Sequence, residues 1–63
     1  MRIGKPRVSG TREELAKELD DASTGWRHFG KDKLSEQASK GADELRDGAD
    51  EVTVGHTTYE VDE

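Results

Sequence analysis

Few residues of this chain have the chemistry of a catalyst, and they are scattered. His28 and His56 are the only imidazoles and lie in separate segments; no cysteine is present. Nucleophilic catalysis needs a Ser, Thr or Cys held beside a base that a carboxylate orients, and no stretch assembles such a set. His56 falls in Gly55-His56, where a solvated turn residue is the simple account. Two histidines without further matched ligands do not have the spacing of a zinc site. Asp43, Glu44, Asp47, Asp50 and Glu51 crowd one stretch, yet lack the alternate oxygen ligands and central glycine of a calcium loop; they read as a solvated helix face. The seven glycines fit neither Gly-x-Gly-x-x-Gly nor Gly-x-x-x-x-Gly-Lys-Ser/Thr, so a phosphate cradle has no support. The expectation is no catalytic residue, no metal, no cofactor and no enzymatic activity.

One stretch has binding chemistry. Gly25-Trp26-Arg27-His28-Phe29-Gly30-Lys31-Asp32-Lys33 joins two of the three aromatics to three of the ten Lys/Arg. Trp and Arg dominate binding hot spots, and cations beside aromatic rings suit protein or base contacts. The candidate partner-binding residues are therefore Trp26, Arg27, Phe29, Lys31 and Lys33. A competing reading turns Trp26 and Phe29 inward as core fillers and leaves Arg27, His28, Lys31 and Lys33 to solvate a loop. That reading is the favoured one, because exposing both rings starves a core short of apolar mass.

Charge divides along the chain. Residues 1–33 hold eight Lys/Arg against six Asp/Glu, net +2, and residues 34–63 hold two against nine, net −7. Such a layout steers encounter through one side and repels nonspecific contact with the other. With 63 residues, 29% hydrophobic and 40% charged, the chain makes one domain, 1–63, with a thin stability margin. The absence of cysteine makes the cytoplasm the default location. No charged-then-apolar leader and no long apolar run is present, so neither a signal peptide nor a membrane span is expected.

The elements that must position these residues follow from periodicity. Met1 to Gly10 reads as an edge strand with Ile3 and Val8 inward, since Pro6 cannot donate to a ladder. Thr11-Arg12-Glu13-Glu14 has the form of a capping box and opens a helix whose stripe is Leu15, Leu19 and Ala22. Ser23-Thr24-Gly25 is expected to end it. A second helix is expected over 32–48, capped by Asp32, with Leu34, Ala38, Gly41 or Ala42, and Leu45 inward and Gly48 at its C′ position. Gly41 fits either close packing or a kink. Glu51-Val52-Thr53-Val54 and Thr57-Thr58-Tyr59-Glu60-Val61 flank Gly55-His56 as a hairpin with a type II′ turn. The register pairs Val54 with Thr57, Val52 with Tyr59 and Glu51 with Glu60, and puts Val52, Val54, Thr57, Tyr59 and Val61 on one face. It also sets two carboxylates opposite each other. The expected class is α+β: two helices on one face of a small antiparallel sheet, the C-terminal hairpin plus an N-terminal edge strand.

The leading functional expectation is a small acidic protein-protein interaction or assembly module, self-associating or bound to another protein; proteins of this length in viral or accessory roles are the analogy. Alternatively, Thr11 to Leu19 resembles the opening helix of a helix-turn-helix, with the hairpin as wing. That resemblance implies nucleic-acid binding through the second helix, where Glu36, Asp43, Glu44 and Asp47 oppose phosphate; only Arg2, Lys5, Arg7, Arg12 and the Arg27 to Lys33 stretch favour it. An acidic nucleic-acid mimic inverts the same logic.

Overall fold

A computed structural model of the chain describes residues 6–62. Five elements follow one another: β1 (Arg7–Gly10), α1 (Arg12–His28), α2 (Asp32–Arg46), β2 (Glu51–Val54) and β3 (Thr57–Val61). Each connection is short, so each element runs back along the one before it. Up, down, up, down, up: β1 and β3 therefore share a direction. The sheet order is β1-β3-β2, with β1 parallel to β3 and β2 antiparallel to it. The expected all-antiparallel sheet is thus corrected to a mixed one, because β1 joins the far edge of β3 instead of pairing with β2. Ile3 lies outside the described residues; Val8 pairs with Tyr59.

The hairpin has the register expected from alternation, Glu51 with Glu60, Val52 with Tyr59, Thr53 with Thr58 and Val54 with Thr57. Gly55 has φ of +62° while no non-glycine residue among the described ones is positive, as a turn with a left-handed first corner requires. The facing carboxylates are reconciled by the third strand. Arg7 Nη2 reaches Glu60 Oε2 at 2.6 Å and Glu51 Oε2 at 3.3 Å, spanning all three strands on the wet face. The Glu60 hydrogen bond, then its charge, raises the Arg7 pKa.

α1 starts at Thr11 as expected, with half of the capping box: Thr11 Oγ1 accepts from the Glu14 amide at 3.2 Å, while the Glu14 carboxylate accepts from the Thr11 hydroxyl at 3.0 Å rather than from a backbone amide. It does not stop at Ser23-Thr24-Gly25 but continues to His28. Both hydroxyls are absorbed. Ser23 Oγ, buried, donates to the Ser35 carbonyl at 2.8 Å across the helix pair, and Thr24 Oγ1 donates back to the Asp20 carbonyl at 3.3 Å. The stop is Gly30, at φ +78°: its amide bonds the Arg27 carbonyl and the Lys31 amide bonds the Trp26 carbonyl, a Schellman closure that needs a left-handed residue. The same bonding closes α2 at Gly48, the expected C′ residue. Asp32 opens α2 as its first residue; Lys31 occupies the cap without a side-chain bond.

The core consists of Leu15, Ala16, Leu19, Ala38, Ala42, Leu45, Val52 and Val54. Leu34, expected inward, is only partly buried. Gly41 resolves toward close packing, since a Cβ there would lie 3.2 Å from Val54 Cγ2 and 3.4 Å from Leu19 Cδ1 and Val52 Cγ2. Small residues at the crossing let backbones approach and fill the interior without bulky side chains. Arg12 ties the opposite end, donating through Nη1 to the Leu45 and Ala49 carbonyls at 2.5 Å each and through Nη2 to Asp50 Oδ1 at 3.2 Å. It thereby satisfies carbonyls at the α2 C-terminus, where a cation also complements the helix dipole. Arg46 pairs with Asp20 across the helices.

Candidate functional site

Extending α1 to His28 moves the aromatic stretch from a loop onto the helix's last turn and cap. Ala22, Gly25, Trp26 and Phe29, at spacings of three, one and three, share one helix face. Across from them stands Tyr59, in the middle of the central strand. Residues 22, 25, 26, 29 and 59 line one hollow of about 300 Å³. A second, of about 260 Å³, lies between Trp26 and the hairpin tip and is lined by Ala22, Trp26, Leu34, Val54, Tyr59 and turn residues including His56. Ala22, Trp26 and Tyr59 line both.

Trp26 is 37% exposed and Phe29 75%, the exposed large hydrophobics among the described residues. The favoured inward reading of both rings is thereby corrected. The reason is geometric: alanine, glycine and serine at the helix crossing bring α1 and α2 so close to the sheet that three leucines and two valines complete the interior. Phe29 makes an edge contact with the His28 ring, centroids 6.1 Å apart and planes at 78°.

The five residues singled out from sequence occupy one end of the molecule but not one surface. Lys31 and Lys33 line a shallow depression with Leu34, the residue that also lines the hollow beneath Trp26, so these two cations adjoin the aromatic surface. Arg27 lines a polar groove between the helices with Asp32, Glu36, Lys40 and Asp43. Tyr59, Ala22 and Leu34 belong to the surface and were not singled out; alternation assigned Tyr59 to the covered face, and no local pattern shows where a helix leaves such a face half open. Burial first, and the Glu18 carboxylate second, push the Tyr59 phenol above its ordinary pKa of 10.0.

Both hollows sit at or below the low end of small-molecule pockets, roughly 300–1,000 Å³. Among the described residues no group of three or more His, Cys, Asp or Glu is placed to hold a metal ion, and no helix is long and apolar enough to cross a membrane. No protein-family model matches the chain, and neither a curated protein nor a solved structure is significantly similar to it.

Proposed function

We propose that the chain is a small protein-docking module that engages a protein partner through the surface of Trp26, Phe29 and Tyr59. The observation that carries this reading is Phe29, three-quarters exposed in a chain with one phenylalanine, one tryptophan and one tyrosine. An apolar ring held in water beside a second, half-inserted one is the pattern of an interaction surface, and aromatic anchors next to hollows are how such surfaces concentrate binding energy. Nucleic acid fits less well: the exposed face of α2 presents Glu36, Asp43, Glu44 and Asp47, which repel phosphate. The module reading is tested by placing photoreactive benzoylphenylalanine at position 29 and, separately, at Thr53 on the opposite sheet face, in the native host. A discrete protein adduct from position 29 alone is the expected result. Adducts from both positions equally, or from neither, contradict it.

A further inference from the structure

The segment that carries Trp26 and Phe29 differs in charge from the rest of the chain. Residues 25–34 hold three Lys/Arg against one Asp, net +2, inside a chain of net −5, which leaves the remainder at −7. Elsewhere among the described residues the arginines are partnered, Arg7 with Glu51 and Glu60, Arg12 with Asp50 and Arg46 with Asp20, while Lys17 and Lys40 take no ion pair. Among the described residues Arg27, Lys31 and Lys33 take no ion pair, although acids outnumber bases by fifteen to ten. Three of the five described cations without an ion pair thus lie in the segment that also holds the exposed rings.

From this we infer that the occupant of the Trp26 and Phe29 surface is an acidic segment of another protein carrying at least one bulky apolar side chain; the inference rests on the docking reading and names its partner's chemistry. The apolar side chain enters the hollows beside Trp26, each roomy enough for a bulky side chain. The acidic residues meet Lys31 and Lys33, which adjoin those hollows through Leu34. Charge complementarity of this kind speeds encounter and rejects wrong partners more than it adds affinity.

Two other occupants match less. A second copy docking by the same surface would bring Lys31 and Lys33 against their own images, since a two-fold interface pairs like with like. A second copy docking by its acidic end, around Asp43, Glu44, Asp47 and Asp50, supplies charge but no anchor, because the exposed large hydrophobics of the described residues are Trp26 and Phe29 themselves. Single-stranded nucleic acid can stack on aromatic rings, but its affinity grows with the number of phosphates neutralised, and here two lysines adjoin the rings.

The test is selection of a displayed library of random twelve-residue peptides on the intact chain, with each enriched peptide then synthesised and titrated against Trp26 fluorescence. Peptides rich in Asp and Glu, carrying Leu, Met, Phe or Trp, and losing binding to Phe29→Ala are expected. Reversing charge with Lys31→Glu plus Lys33→Glu should weaken them about tenfold or more at low salt, with the gap narrowing as salt rises. Phe29-dependent peptides without acidic bias, or indifferent to the lysine reversals, overturn the acidic partner and leave the docking surface standing. Absence of any Phe29-dependent peptide overturns both. Tighter Phe29-dependent binding of a twelve-residue oligothymidylate, or Phe29-dependent dimerisation in sedimentation, assigns the surface to nucleic acid or to a second copy and likewise overturns the inference.

Discussion

Gly41 and Gly25 both lie inside helices, and the same substitution should act on them in opposite directions. At Gly25 a Cβ meets nothing within 4 Å, so Gly25→Ala collects the helix-propensity gain, up to about 1 kcal/mol. At Gly41 the same gain is set against a methyl pressed to 3.2 Å from Val54 Cγ2 and 3.4 Å from Leu19 Cδ1 and Val52 Cγ2, inside the roughly 3.5–4.0 Å optimum for carbon pairs. Leu19, Val52 and Val54 are all buried, and valine's branched Cβ leaves few rotamers for escape. Relief therefore means moving β2 away from α2, an overpacking penalty of about 1–3 kcal/mol. The net for Gly41→Ala runs from about zero to about 2 kcal/mol destabilising, which places the two variants about 1–3 kcal/mol apart. With a urea slope near 1 kcal/mol/M for a chain this small, their midpoints should differ by about 1–3 M. Urea unfolding followed by circular dichroism at 222 nm reads this directly. Equal stabilisation by both alanines would refute the close approach of α2 to the sheet and, with it, the explanation for the exposed aromatics.

Three further outcomes follow from the packing and charge. Arg12→Ala should destabilise by about 1.5–3 kcal/mol in urea unfolding, the range for charge-assisted hydrogen bonds, and Arg12→Lys should recover only part because one ammonium cannot reproduce the fork. Tyr59, whose folded pKa is raised, binds its proton more tightly in the folded than in the unfolded chain; stability is therefore unaffected below the ordinary value of 10.0 and falls as pH rises through and beyond it. Phenolate absorbance at 295 nm should show a midpoint above that of free tyrosine, and Tyr59→Phe should remove this part of the alkaline decline. Arg7→Ala leaves Glu51 facing Glu60 across the hairpin, so its urea midpoint should drop at low salt and approach the parent's near 1 M salt, where screening shortens to about 3 Å.

Much of the fold was legible because its signals are local. Two valines, a tyrosine and a Gly-His turn permit one register, and Thr11 with Glu14 marks a helix start without any tertiary partner. The end of α1 was not legible, since Ser23 and Thr24 are stop signals only when their hydroxyls find no better use. Ser23 found the Ser35 carbonyl on another helix, and the true stop, Gly30, lay five residues further on. Strand direction also escaped periodicity: Val8 has the same inward alternation whether β1 joins β2 or β3, and only the count of reversals between elements distinguishes parallel from antiparallel. The candidate site inherited both errors. Trp26 and Phe29 were recognisable as the chain's binding chemistry, but a tally of large apolar residues argued for burying them, because it gave no weight to Ala16, Ala38, Gly41 and Ala42 as packing material. Tyr59 joined the surface through a long-range pairing that no segment of sequence displays.

The account turns on Phe29 being surplus to the fold, and the urea midpoint of Phe29→Ala measures that before any partner is in hand. A stability within about 0.5 kcal/mol of the parent, as for surface substitutions generally, is the result it requires. A loss of about 3–5 kcal/mol, the signature of a phenylalanine taken from an interior, would contradict it.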